Sequence, residues 1–349
     1  MFIIESMKTI YLITDYKNFF GSKWKAEPYR GGYDKNYLTA LFSREGFELI
    51  ILQAKEVDFS NKDWKNQIIL YTSSEEPGLH YKSYLEDIIQ SLETLEARVV
   101  PSFRFLKAHE NKVFMELVRL TTIPKELQTI QSKTFGTLEE LKQSITEKKI
   151  ATPCVIKSAT GSMSRGVALA NNEKELLAAA NKISNTNNTK RALKEKLRVK
   201  KYPGYLPESQ NQSKFIIQPF IPNLTCDWKV LIYGKKVFIL QRNIKKNDFR
   251  ASGSGYNYKA GSASEFPTQY LDFIYRFFES MDLPNLSLDF AFDGNNPYII
   301  EFQAIYYGTS TQFKSEDYYE LINGTWEVQK NTFDQETVFV ESIVNYLNR

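Results

Sequence analysis

The sequence predicts an α/β protein, with an open and mainly parallel sheet in its first hundred residues and α+β lobes behind it. In that first part, short apolar segments rich in β-formers alternate with segments of helical periodicity, the order typical of parallel sheets. Beyond residue 215, strand-like segments follow one another closely until a last helix. The 349 residues are enough for two or three domains with sizeable cores.

The predicted elements of the N-terminal part alternate between apolar runs and helical spacing. They are strands at 9–14, 47–54, 67–73 and 98–103, and helices at 33–45 and 84–95. After residue 106 the pattern changes to helices at 109–121, 138–146 and 172–183, with a hairpin of strands at 153–158 and 166–170. The C-terminal elements are strands at 215–220, 227–233, 236–242, 286–293 and 297–304, a helix at 270–281 and a last helix ending near 347. Between them, the polar and lysine-rich segment 185–212 predicts no regular element and is interpreted as an insertion or mobile connection.

Composition places the chain among globular proteins and excludes several classes of function. Hydrophobic residues make up 42% and charged residues 25%, far from the composition of disordered chains. The formal net charge of +4 is too small to indicate nucleic acid or an anionic membrane. We therefore expect small-molecule partners, no nucleic acid and no insertion into a membrane.

The cysteines and the N-terminus indicate a cytoplasmic protein. Cys154 and Cys226 are the only cysteines and lie far apart, whereas a disulfide framework uses several at close spacing. Glu5 and Lys8 interrupt the apolar N-terminus, and no basic segment precedes it. It therefore fits neither a signal peptide nor a spanning helix.

The loop ATGSMSRG between the two hairpin strands is a candidate phosphate-binding loop. Gly161 and Gly166 bracket its small residues, and Lys157 stands on the strand before it. A Walker motif is excluded because Val167 occupies the position of its lysine and a strand follows instead of a helix. Backbone N–H groups of such a loop can fold over phosphates, although an ordinary surface turn is an open alternative.

The segment LDFAFDGNNPYIIEFQ is a candidate metal site. Asp289 lies on one predicted strand, while Glu301 and Gln303 share one face of the next, so two carboxylates and an amide oxygen can converge. Oxygen ligands suit Mg²⁺ bridging nucleotide phosphates, and with His80 and His109 as the only histidines a multi-histidine zinc site is excluded. The alternative is the solvent-facing side of a hairpin.

Arg250, in the segment DFRASGSG, is a candidate for neutralising charge on a transferred phosphoryl group or an oxyanion. A surface turn is the alternative. Further candidates for substrate contact lie in loops after predicted strands, where open α/β sheets bind ligands. They are Lys25, Tyr29, Arg30, Ser73, Ser74 and Glu75.

Taken in this order, the motifs from about 110 to 308 resemble the ATP-grasp superfamily, and within it the carboxylate–amine ligases. The resemblance implies a Rossmann-like pre-ATP-grasp domain at 1–106, which is the expected substrate domain. It also implies a central ATP-grasp subdomain with the phosphate loop at 107–218 and a C-terminal subdomain with the metal site at 219–349. It specifies the following roles. Lys112 and Lys157 bind phosphates, and the closing loop is formed by Thr160, Gly161, Ser162 and Gly166. The adenine-side hinge is formed by Gln218, Pro219 and Phe220, and Asp227 faces the ribose. The catalytic residues are Arg250 and Lys157, with Ser252 beside them, and the metal ligands are Asp289, Glu301 and Gln303.

Three positions depart from the family pattern. Gln303 and Ser252 stand where such ligases usually have Asn, and Lys229 stands where they often have Arg. The longer side chain of Gln303 keeps the amide oxygen but can shift the second metal position. Contacts on the acceptor side are consequently less defined than those to ATP.

The resemblance implies a ligase that uses ATP and Mg²⁺, with two ions expected and Mn²⁺ able to substitute. It would activate a carboxylate as an acyl phosphate, release ADP and phosphate, and join the carboxylate to an amine. The acceptor would be an amino acid, peptide or sugar-linked compound in cell-surface or natural-product biosynthesis, and a homodimer is possible. The alternatives are a phosphotransferase and a non-catalytic nucleotide-binding module. Nucleic-acid binding is disfavoured because only Tyr202 and Tyr205 accompany the basic run 190–201.

Overall fold

Three sheets follow one another along the chain. The structure, a computed structural model, describes residues 7–161, 166–186, 188–244 and 258–349. The sheets occupy the N-terminal, middle and C-terminal thirds, and helices cover them. The predicted α/β (α+β) class is confirmed. The domain boundaries at 106 and 218 stay predictions.

The N-terminal sheet is parallel throughout, in the order β2-β1-β3-β4. Its strands are β1 (Lys8–Thr14), β2 (Phe47–Gln53), β3 (Ile68–Tyr71) and β4 (Arg98–Val100), and the helices between them are α1 (Lys35–Arg44) and α2 (His80–Thr94). Strands of such a sheet are apolar on both faces because both are covered. In β1, Leu12 packs in the cluster with α1 and the C-terminal helix, while Ile13 packs in the cluster with α2.

The helix predicted at 109–121 is observed with a later start, and a short helix that was not predicted precedes it. The short helix is α3 (Phe103–Ala108), and the predicted one is α4 (Lys112–Thr122). Glu110 between them has a left-handed backbone with φ of 51°, which ends one helix before the next begins. The side chain of Asn111 then accepts a hydrogen bond from Phe114 N and caps α4. The predicted helix was therefore too long at its start by one turn.

The middle sheet is antiparallel, in the order β5-β8-β6-β7. Its strands are β5 (Lys133–Phe135), β6 (Cys154–Ser158), β7 (Val167–Ala170) and β8 (Phe215–Pro219), and its helices are α5 (Leu138–Thr146), α6 (Glu173–Ser184) and α7 (Thr189–Lys201). The predicted hairpin of β6 and β7 is confirmed. The segment 185–212 was wrongly interpreted as irregular, because it contains α7. The only buried residue of α7 is Glu195, so the apolar periodicity that marks a helix is missing.

The C-terminal sheet carries the largest core. Its path is β13-β12-β9-β10-β14-β15, with β11 paired to β10. The elements are β9 (Cys226–Tyr233), β10 (Lys236–Asn243), β11 (Tyr258–Ala260), α8 (Leu271–Glu279), β12 (Asn285–Phe292), β13 (Pro297–Gln303), α9 (Ser310–Lys314), β14 (Asp317–Ile322), β15 (Thr325–Lys330) and α10 (Gln335–Leu347). Apolar residues of β9, β10 and β12 pack against α4 and α8. Within the described ranges, no helix has both the length and the apolarity needed to cross a bilayer.

Candidate functional site

The start of α4 brings the middle sheet and the C-terminal sheet together. Lys112 is the first residue of the helix, and its backbone N donates to Ala159 O at 2.8 Å. Its Nζ donates to Gly161 O at 2.9 Å and lies 3.5 Å from Glu301 Oε1. One buried ammonium group therefore contacts both the candidate phosphate loop and the candidate metal strand.

Gly161 is held from two sides. Its carbonyl accepts from Lys112, and its N–H donates to Glu110 Oε2 at 2.9 Å. Its φ of 115° is accessible to glycine at little cost, and a side chain there would strain the backbone. The first residues of the β6–β7 loop are thus fixed to the ends of α3 and α4 by a carboxylate and an ammonium group.

Lys157 lies on β6 and is buried, with 9% of its surface exposed. Burial lowers its pKa, and the Glu301 carboxylate is the strongest influence in the opposite direction, while Lys112 adds to the lowering. The predicted site residues come from distant segments of the sequence. Three of them, Lys112, Lys157 and Glu301, are therefore close together in the structure. Within the described ranges no carboxylate forms an ion pair with Lys157, and such a desolvated ammonium group suits an incoming anion such as phosphate.

Two charged residues of α4 belong to the same cluster and were missed from the sequence. Glu116 and Arg119 are both 1% exposed and form an ion pair with Nη2 to Oε1 at 3.4 Å. Gln218 on β8 donates Nε2 to Glu116 Oε1 at 3.3 Å. The signal was present, because charges three residues apart stand on the apolar face of a helix that otherwise buries Met115 and Val118.

Arg119 also reaches β13, the candidate metal strand. Its Nη1 donates to Ile299 O, and its Nη2 donates to Ile300 O at 3.1 Å. These carbonyls directly precede Glu301. The guanidinium therefore fixes the backbone from which the Glu301 carboxylate projects, and α4 connects β6, β8 and β13.

The candidate metal ligands stand on neighbouring strands. Asp289 on β12 pairs directly with Glu301 on β13, and Ser287 pairs with Gln303, so the period-2 interpretation of this hairpin agrees with the observed register. Asp289 Oδ1 is buried and forms an ion pair with Lys229, whose Nζ lies 3.0 Å away. The buried hydroxyl of Ser287 has no partner among the described residues. Two carboxylates, an amide and a hydroxyl supply the oxygen ligands that a divalent cation prefers.

Asp227 makes a bidentate ion pair. Arg242 donates to both of its carboxylate oxygens at 2.7 Å, and Arg242 Nη2 also lies 3.2 Å from Asp289 Oδ2. Burial raises the pKa of Asp227 to about 6 against the opposing effect of Arg242. Burial acts in the same direction at Asp289, but there Arg242 and Lys229 outweigh it and lower the pKa. Sequence analysis missed Arg242, which stands opposite Asp227 in the β9–β10 pair.

Some of the remaining predicted site residues lie within the described ranges, and the others lie outside them. Thr160 and Gly166 are the two ends of the candidate phosphate loop. Pro219 ends β8 and is exposed, next to the buried Gln218, and the half-buried Phe220 follows the strand. Ser162, Arg250 and Ser252 lie outside the described residues.

The N-terminal part of the chain contributes polar groups at the same end of α4. Ser73, directly after β3, lies with Oγ 2.8 Å from His109 Nδ1. On the other side of the ring, Nε2 lies 3.2 Å from Glu75 Oε1. One ligand atom from each of Glu75, His109 and Glu110 lies within 4.8 Å of the other two. Since Glu110 also holds Gly161, this group adjoins the phosphate loop, and it includes Ser73 and Glu75 from the predicted acceptor-side candidates.

The three sheets and the cluster of charged residues that joins the last two define a class of fold. The chain has the ATP-grasp fold, which confirms the resemblance at the level of fold. No protein-family model matches the chain, and no curated protein matches its sequence.

Solved structures provide the comparison. D-cycloserine synthetase DcsG is similar with a TM-score of 0.54 at 12% identity, covering 97% of this chain and 99% of its own. A RimK-domain ATP-grasp protein of Sphaerobacter thermophilus gives 0.51 at 11% identity, covering 98% of this chain and 100% of its own. N5-carboxyaminoimidazole synthetase of Staphylococcus aureus, complexed with ADP, gives 0.52 at 9% identity over 97% and 78%. At such identities the likeness concerns the fold.

Proposed function

We propose that this protein is an ATP-dependent ligase that activates a carboxylate as an acyl phosphate and joins it to an amine. The observation that carries the proposal is the cluster in which Lys112 contacts both Gly161 of the loop and Glu301 of the acidic strand. It is supported by the fold shared with a synthetase complexed with ADP and with D-cycloserine synthetase.

The proposed work of this site is positioning and charge neutralisation. Lys112 and Lys157 bind the phosphate groups of ATP, and the loop from Thr160 to Gly166 covers them and excludes water from the acyl phosphate. Glu110 and Lys112 hold the start of that loop in place. Arg250 is proposed to stabilise charge on the transferred phosphoryl group. No nucleophilic side chain is required, since the substrate carboxylate attacks the γ-phosphoryl group directly.

Asp289, Glu301 and Gln303 are the residues proposed to hold Mg²⁺. The ion supplies neutralisation of phosphate charge when bound. Arg119 keeps the Glu301 backbone in place through two carbonyl contacts. Lys229 and Arg242 share the Asp289 carboxylate, so they keep it ionised and ready to act as a ligand.

The acceptor amine is proposed to bind at Glu75, His109 and Glu110. Two carboxylates within reach of one another attract an ammonium group, and the imidazole can take its proton as the amine becomes a nucleophile. Their position beside Gly161 places that amine next to the phosphate loop. An amino acid or the end of a peptide therefore suits the site as acceptor.

The experiment that tests the proposal is ATP consumption with ADP, AMP and phosphate resolved, in Mg²⁺ and pools of amino acids, sugar acids and short peptides. Mass spectrometry then identifies products. We expect ADP, phosphate and a product formed by loss of water between two pool members. Glu301→Gln should abolish the reaction, whereas the matched surface variant Glu327→Gln should retain it. A phosphorylated product without condensation would identify a phosphotransferase, and nucleotide binding without turnover would identify a binding module.

A further inference from the structure

Helix α7 presents an unusual outer face. Over Thr189–Lys201 the chain carries seven Lys or Arg residues and one acid, Glu195. That acid points inward and is 3% exposed, where it accepts from Tyr205 at 2.7 Å and from Arg198 at 2.6 Å. Arg191 is paired with Glu208. The positive charge that stays unpaired in the described structure therefore belongs to the lysines.

Two leucines stand among these lysines. Leu193 and Leu197 are 61% and 58% exposed, and their spacing of four residues places them side by side on the helix surface. By the same spacing, two rows of lysines flank this leucine pair. One row is Lys190, Lys194 and Lys201, the other is Lys196 and Lys200, and all five are exposed.

We propose that this face of α7 is a docking surface for an anionic lipid bilayer. The leucine pair enters the headgroup region, and the flanking lysines contact lipid phosphates. An apolar stripe bordered by cations is the arrangement of helices that lie in a membrane interface. The surface is independent of the ligase site and goes beyond the proposed function.

The composition of the face favours a bilayer over the other anionic partners. Protein interfaces are depleted of lysine and enriched in arginine and aromatic residues. Single-stranded RNA is bound through stacking on aromatic or guanidinium planes. Here both arginines of α7 are paired with glutamates, and the groups exposed between the two rows of lysines are the aliphatic Leu193 and Leu197, while Tyr202 beside Lys201 is an exposed aromatic residue at the end of the helix. The positive charge of this face and its exposed leucine pair therefore both favour an anionic lipid bilayer as the partner.

The test is co-sedimentation of the full chain with vesicles of phosphatidylglycerol and phosphatidylcholine, compared with vesicles of phosphatidylcholine alone. We expect binding to the anionic vesicles only, and weaker binding at high salt. Lys194→Gln with Lys200→Gln should weaken it about 25-fold, at about fivefold per lysine. Leu193→Ser with Leu197→Ser should weaken it more than about tenfold through lost apolar burial. The matched control, Lys55→Gln with Lys330→Gln on other domains, should bind as the unmodified chain does.

Several outcomes would overturn the proposal. They are no binding to anionic vesicles, equal binding to neutral ones, or full binding by the leucine variant, which would reduce the effect to unspecific charge attraction. Tight binding of polyuridylate or polyglutamate without binding to vesicles would assign the face to RNA or to an acidic polypeptide instead. Far-UV circular dichroism of each variant checks that it is folded.

Discussion

Replacing Arg119 by Met tests whether α4 holds the two ATP-grasp sheets together. The change removes a 1% exposed guanidinium that pairs with Glu116 at 3.4 Å and donates to the carbonyls of Ile299 and Ile300. It leaves the Glu116 carboxylate buried, with the amide of Gln218 as its remaining donor in the described structure. Removing one partner of a buried pair costs about 3–5 kcal/mol. We expect a loss of that size in the free energy of unfolding.

The assay is urea-induced unfolding followed by far-UV circular dichroism, on Arg119→Met, on Glu116→Gln and on the double variant. The double variant should be less destabilised than the sum of the two single variants, because it leaves no unpaired buried charge. The control is Arg276→Met, whose pair with Glu126 at 3.0 Å is exposed on both sides. It should be nearly neutral, as surface pairs are. A loss below about 1 kcal/mol for Arg119→Met, or strict additivity in the cycle, would refute the reasoning.

Four further predictions concern the site. Asp289→Asn should abolish ATP turnover without unfolding the protein, and full activity measured by ADP release would contradict the metal assignment. Lys157→Met should weaken ATP binding at least about tenfold by calorimetry, because a buried ammonium group is lost, while Lys149→Met at the surface should bind normally. Glu75→Gln should raise KM for the amine and leave KM for ATP unchanged, whereas the neighbouring Glu76→Gln should alter neither; equal kinetics for both variants would remove Glu75 from the acceptor site. Because the pKa of Asp227 is raised to about 6, the folded chain binds an extra proton between the unfolded pKa near 4 and pH 6. This carboxyl therefore lowers the free energy of unfolding as pH rises through that window. Asp227→Asn should remove this contribution and make the slope in urea titrations from pH 4 to 7 more positive, and an unchanged slope would show that Asp227 does not contribute.

The fold could be predicted from the sequence where burial imposes a regular spacing of apolar residues. Strands β1, β2 and β3 are apolar because helices cover both faces of their sheet, and the charged pattern of Asp289, Glu301 and Gln303 is visible because the strands around it are apolar. The helices and strands that were not predicted lack such a spacing. Strand β14 and the edge strand β15 carry many polar residues, and α7 buries only an acid. Arg242 was missed because its role depends on which strands are neighbours, and that pairing is not written in local spacing.

The site's geometry depends on one helix more than on any motif. Lys112, Glu116 and Arg119 project from successive turns of α4, and they contact the β6–β7 loop, β8 and β13 respectively. In the proposed function, a phosphate held by Lys112 and Lys157 would thereby be coupled to the strand that carries Glu301, through side chains that share a rigid backbone. Because interiors are close-packed, a shift of this helix moves the phosphate contacts and the acidic strand together. Motifs that are far apart in the sequence therefore come together because the amphipathic helix α4 keeps its charged residues on the face that it buries.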